Sequence, residues 1–174
     1  MILKKEFFER PTLVVAKDLL GKYLVRRFNG EINRFIVTEV EAYDGFKDKA
    51  SHASRGMTKR NAPMFGKAGY WYVYFTYGMH YMLNIVTGPQ NYPAAVLIRA
   101  IESINGPGRL TKQLKIDKKF NGKIAAIKTS LWLESNSKIE NCKLKIKNLP
   151  RIGVNYAGPV WSQKKWRFKL TEIA

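Results

Sequence analysis

The chain has 174 residues, 45% hydrophobic and 25% charged, a balance that fits one folded domain and excludes a disordered segment. Its 31 Lys and Arg against 13 Asp and Glu give a net charge of +18, which favours nucleic acid as the partner over a merely lysine-rich surface. The single cysteine, Cys142, excludes an internal disulfide and a multi-cysteine metal site.

In chain order, Thr12 is placed to cap a helix that runs from Leu13 and ends at Gly21, with Leu13, Ala16, Leu19 and Leu20 on one face. Tyr23–Phe28 reads as a strand, Asn29-Gly30 as a hairpin turn, and Arg34–Val40 as the return strand that runs into Glu41-Ala42-Tyr43. Periodicity then disappears from Asp44 to Lys67, where Gly45, Gly56, Pro63 and Gly66 punctuate a basic loop with one helical turn. Loops longer than about 12–15 residues in a compact domain are usually functional. Tyr70–Thr76 is an aromatic strand, Tyr77-Gly78 a turn and Met79–Val86 the partner strand; a loop from Gly88 to Pro93 leads to a further strand, Ala94–Ile101. Gly106-Pro107-Gly108 opens a Lys-rich region with a short helix near Leu110–Leu114, and the tail from Trp132 to Phe168 alternates strand-like runs with turns at Pro150 and Gly158-Pro159. No repeat or internal boundary is visible, so the expectation is one α+β domain over residues 1–174 with a largely antiparallel sheet and flanking helices. No leader peptide is visible and no apolar run approaches the ~20 residues that span a bilayer. The expected location is therefore the cytoplasm, away from any membrane.

Residue chemistry narrows the reading. Strand parity puts Glu39, Glu41 and Tyr43 on one face, and a carboxylate at the mouth of a pocket can act as a general base on water. Position alone leaves Glu41 open as a surface residue at a strand end. His52 lies in the long loop without a Cys or His at ligand spacing, so it is either a surface hydrogen-bonding group or a ligand contact, and no metal site is expected. Parity also places Tyr72 and Tyr74 on one face of their strand and Trp71 with Phe75 on the other, one set for the core and one free to stack on bases. Tyr77, beside Gly78 and Met79 at a hairpin tip, has no core to enter and suits a wedge between base pairs. Asn84 and Arg99 sit inside strands, where each requires a polar partner.

Taken together the motifs resemble the alkyladenine (3-methyladenine) DNA glycosylase family. The likeness is carried in order by Phe8-Glu9-Arg10-Pro11, Ala16-Lys17-Asp18-Leu19-Leu20-Gly21, Thr38-Glu39-Val40-Glu41-Ala42-Tyr43, Ser51-His52, Arg60-Asn61-Ala62-Pro63-Met64-Phe65, Tyr72-Val73-Tyr74-Phe75-Thr76-Tyr77-Gly78-Met79, Asn84-Ile85, Leu97-Ile98-Arg99-Ala100, Gly106-Pro107-Gly108-Arg109-Leu110, Arg151-Ile152-Gly153-Val154 and Trp166-Arg167-Phe168. The resemblance implies a curved antiparallel sheet with a protruding hairpin for DNA, and a hydrolytic, monofunctional enzyme that acts without a cofactor, as a monomer beside the nucleoid. Its partner would be double-stranded DNA that contains damaged purines. Glu41 would activate the attacking water, which Arg99 and the main-chain carbonyl of Ile152 would help to hold. The everted base would lie between Tyr43 on one side and His52 with Tyr74 on the other, with Asn84 at the pocket floor. Tyr77 and Met79 would enter the duplex, and Thr58 and Arg60 would contact its backbone. Two rivals are weighed against this. A non-enzymatic nucleic-acid binder explains the charge and the aromatics but not Glu41, Arg99 and Asn84. A transferase would require a donor site, and no phosphate-cradling glycine loop is present.

Overall fold

The Asn29-Gly30 pair has both residues at positive φ, 51° and 82°, which is the backbone demanded by a two-residue hairpin turn. It joins β1 (Tyr23–Phe28) to β2 (Glu31–Asp44), the longest strand of the protein. The computed structural model describes residues 1–139 and 142–173. Its remaining strands are β3 (Trp71–Thr76), β4 (His80–Val86), β5 (Ala94–Ile101), β6 (Ile104–Asn105), β7 (Leu131–Glu134), β8 (Leu144–Leu149) and β9 (Arg167–Ile173). Helices α1 (Lys5–Phe8), α2 (Thr12–Leu19), α3 (Pro107–Gln113) and α4 (Gly158–Ser162) flank them. The strands pair antiparallel in one curled nine-stranded network ordered β3-β4-β5-β2-β1-β7, with β6 on β5 and β9 joining β2 to β8. The architecture is α+β, as expected. Among the described residues no helix is long and apolar enough to cross a membrane.

β2 organises the rest. Its first half pairs with β1, and its second half lies between β5 and β9. Along the β2–β5 ladder Val40 faces Ile98 and Glu39 faces Ala100, so the register skips Arg99. A bulge of this kind re-aims the side chain of the extra residue. Parity divides the sheet elsewhere. Val40, Ala42, Trp71, Val73, Leu83, Ile85, Val96 and Ile98 turn to one face and form the main core with Val15, Ala16 and Leu19 of α2 and Leu110 of α3. Tyr72, Val86 and Ala95 turn to the other face, where Ala53, Met64 and Phe65 of the long loop pack on them. The loop is thus a roof over the second face of the sheet.

Several local expectations differ from the structure. Thr12 is the first residue of α2 and does not cap it; Pro11 occupies the cap position, and the Thr12 hydroxyl donates to Asp44 Oδ1 at 2.8 Å, drawn there by the end of β2. The return strand begins at Glu31 and continues through Asp44, because β5 and β9 take it up where β1 leaves off. The loop holds two 3₁₀ turns, His52–Arg55 and Ala62–Phe65, where one was expected. Gly158-Pro159 opens α4 instead of a simple turn, since proline fits the first turn of a helix.

Ile98 is fully buried on the central strand opposite Val40. Ile98→Ala is expected to lower the unfolding free energy by about 2–5 kcal/mol through lost burial and a residual void, read as a shifted midpoint in urea titration.

Candidate active site

Between the sheet and its roof lies a cavity of about 330 Å³, within the range of small-molecule sites. Each wall follows from strand parity. β2 contributes Glu41 and Tyr43, β3 contributes Tyr72 and Tyr74, β4 contributes Asn84 and β5 contributes Arg99. His52 comes from the roof, and Ile152 and Tyr156 from the segment between β8 and α4. The structure therefore brings together eight residues that the sequence singles out: Glu41, Tyr43, His52, Tyr74, Tyr77, Asn84, Arg99 and Ile152.

Glu41 is 0% exposed and lies at the cavity wall. Its Oε1 accepts the Ile152 N–H at 2.9 Å and has the Arg99 guanidinium at 3.4 Å; its Oε2 accepts the Tyr43 hydroxyl at 2.8 Å. Burial pushes the Glu41 carboxyl above its ordinary range, opposed by Arg99, the Ile152 amide and the Tyr43 hydroxyl, with the net direction upward. Burial and the Glu41 charge hold the Tyr43 phenol well above its usual value, so it remains a donor at neutral pH. Arg99 also meets Glu39 Oε1 at 3.0 Å, and Arg167 meets the same oxygen at 3.0 Å, so Glu39 fixes the guanidinium that reaches Glu41.

The opposite wall is aromatic. The His52 ring stands edge-on to Tyr74 with centroids 4.7 Å apart, and its Nδ1 shares a 3.1 Å hydrogen bond with the Tyr72 hydroxyl. Burial, with a smaller contribution from Arg60, lowers the His52 pKa and keeps the imidazole neutral at pH 7. Arg60 lies over Tyr74, 5.0 Å from the ring centre, and donates to the Phe75 carbonyl. Asn84 donates from Nδ2 to the Tyr72 carbonyl at 3.0 Å, which fixes its amide plane at the cavity. Tyr77 occupies the β3–β4 hairpin tip at φ 51° and is 79% exposed at the cavity mouth. A bulky residue held in the left-handed region is an outlier of the kind that marks functional sites. Met79 beside it is also exposed. Thr58 lies on the exposed surface of the roof outside the cavity lining, and its backbone N–H donates to Asn61 Oδ1.

Three supports of this site were not singled out from sequence. Asn61 is buried and donates to the His52 and Gly56 carbonyls, so it clamps the roof. Arg151 and Asp48, both fully buried, form a two-pronged ion pair at 2.6 and 2.8 Å. The same guanidinium donates to the Ala42 carbonyl and lies between the rings of Tyr43 and Trp166, at 4.8 and 5.1 Å. It braces Tyr43 from behind and fixes the neighbouring Ile152 amide on Glu41. The pair spans more than 100 residues of chain, and no local pattern announces it; the one available signal was a charged residue, Arg151, beside an apolar run. Arg151→Met leaves Asp48 buried without its partner and is expected to cost about 3–5 kcal/mol of stability in urea unfolding, whereas adding Asp48→Asn restores part of the loss.

A family model described as methylpurine-DNA glycosylase (MPG) matches residues 6–173. Similar proteins include one from Legionella pneumophila (strain Corby), 44% identical across 98% of this chain and 94% of its own length. Others come from Methanocella arvoryzae, at 42% identity across 96% and 91%, and Wolbachia pipientis wMel, at 44% across 97% and 91%. All three carry the name "Putative 3-methyladenine DNA glycosylase". The match covers nearly every residue of the sheet, its roof and the cavity between them: the chain belongs to the methylpurine-DNA glycosylase family.

Proposed function

We propose that this chain, as a single domain and a monomer, everts an alkylated or deaminated purine from double-stranded DNA and hydrolyses its N-glycosidic bond without a cofactor. Such work places it with the nucleoid in the cytoplasm. The observation that carries the reading is Glu41, a carboxylate sealed from bulk solvent yet set in the wall of an aromatic cavity. Glu41 Oε1 meets both the Ile152 N–H and Arg99, whereas Oε2 accepts only the Tyr43 hydroxyl and keeps a further lone pair for water. Glu41 takes a proton from that water as its oxygen bonds to C1′. The electrons of the C1′–N bond leave with the purine. When the purine is alkylated at N3 or N7 it carries positive charge, so the bond breaks to a neutral base and the sugar passes through an oxocarbenium-like state. The ionised Glu41 stabilises that cation. Arg99 and the Ile152 carbonyl hold the water.

An everted base fits between Tyr43 and the His52–Tyr74 pair, where a cationic purine gains attraction from the aromatic faces. Extrusion is cheapest for a damaged, weakly paired base. Asn84 borders the floor and crowds the exocyclic amine of normal guanine. Tyr77, with Met79, fills the gap in the duplex, and Thr58 and Arg60 contact its backbone.

Glu41→Gln is expected to abolish release of 3-methyladenine and hypoxanthine while lesion-DNA binding persists; turnover at the wild-type rate rejects Glu41 as the base. In the wild type the rate rises with pH as Glu41 loses its proton. Because burial raises its pKa, the ascending limb is centred above the ordinary ~4.3 and is absent from the glutamine variant. Tyr77→Ala is expected to weaken eversion, read by the fluorescence of etheno-adenine placed in the duplex, with little change in affinity for undamaged DNA.

A further inference from the structure

A second concavity, about 950 Å³, opens beside the aromatic cavity and shares Ser51, His52 and Tyr156 with it. Phe46, Lys47, Lys49, Ser54 and Arg55 complete its lining. In the local sequence Lys47-Asp48-Lys49 an acid stands between two cations, but the structure separates the charges. Asp48 is fully buried and consumed by Arg151, whereas Lys47, Lys49 and Arg55 are exposed. Among the described residues none of these three cations lies within ion-pair distance of a carboxylate, unlike Lys5, Arg10, Arg34 and Lys145, which are each paired. Two flat rings, Phe46 at 52% and Tyr156 at 68% exposure, stand with them. The groove is therefore cationic on a surface where its own acid has been withdrawn.

We propose that this groove holds the sugar–phosphate backbone of the lesion strand next to the everted nucleotide, with Lys47, Lys49 and Arg55 on phosphates and the two rings against deoxyribose. The proposal rests on the glycosylase reading and names the path of the substrate beyond the base pocket. Connectivity supports it: the neighbours of a nucleotide whose base enters the aromatic cavity are covalently tied to it, and this concavity adjoins that cavity through Ser51, His52 and Tyr156. Charge supports it as well. A released purine carries no negative charge, so three unpaired cations give no advantage to an exit route for the product. The Lys-rich segment is a separate surface, since Lys119, Lys123 and Lys128 line a shallow depression that has no residue in common with either concavity.

The test uses the full chain and a fluorescein-labelled duplex with a single hypoxanthine, with binding followed across a salt series. Each phosphate neutralised by protein contributes a slope of about −0.9 to log K against log salt. The triple variant K47Q/K49Q/R55Q is expected to flatten the slope by about 2–3 and to weaken binding at least tenfold at low salt. The comparison variant K119Q/K123Q/K128Q removes the same charge and is expected to keep a slope nearer that of the wild type. An unchanged slope in the first variant overturns the proposal, and equal flattening in both reduces it to a general charge effect and overturns it too. Base release by the wild type is measured separately. Absence of 3-methyladenine release from methylated DNA refutes the glycosylase reading, while an unchanged slope in the triple variant beside normal release refutes only the groove.

Discussion

A carboxylate with no solvent contact is tolerated at Glu41 because donors converge on it from its own strand and from two distant parts of the chain. The Tyr43 hydroxyl comes from its own strand, the Arg99 guanidinium from β5 and the Ile152 amide from the segment after β8. Burying a charge is costly unless it is paired and hydrogen-bonded. Each donor must itself be held. Arg99 is anchored by Glu39, and Ile152 follows an arginine locked to Asp48. Much of the molecule outside the main core serves to keep this one carboxylate supplied with partners.

The arrangement also divides labour between the two faces of the sheet. One face is filled by aliphatic side chains and α2 and α3, which supply stability. The other carries Glu41, Arg99, Asn84 and the tyrosines beneath a roof with little regular structure. A two-residue period on four adjoining strands is sufficient to sort these roles, since every residue named at the site on β2, β3 and β4 has the same parity as its partners there.

That sorting explains what could be read from sequence. The hairpins at Asn29-Gly30 and Tyr77-Gly78, the aromatic strand and the grouping of Glu39, Glu41 and Tyr43 depend on local rules, and they are present in the fold. Thr12 shows where local rules fail: its hydroxyl had a cap to make, and a carboxylate from the end of β2 won it instead. The family resemblance supplied the grouping of His52, Tyr74, Asn84 and Ile152, which spacing alone could not have supplied. The roles of Asp48, Asn61 and Arg151 remained invisible because their meaning lies in partners that only the folded chain brings near.

The two sides of the aromatic slot differ in stiffness of construction. Tyr43 is backed by Arg151, which is backed in turn by Trp166 and, through it, by Lys164, so that side behaves as an anvil. His52 instead sits on a 3₁₀ turn, held by Asn61 at its carbonyl, by the Tyr72 hydroxyl at its ring and by Ala53 packed on the sheet. If the slot holds a base as proposed, changes within residues 52–65 reshape its His52 side and leave the carboxylate opposite in place.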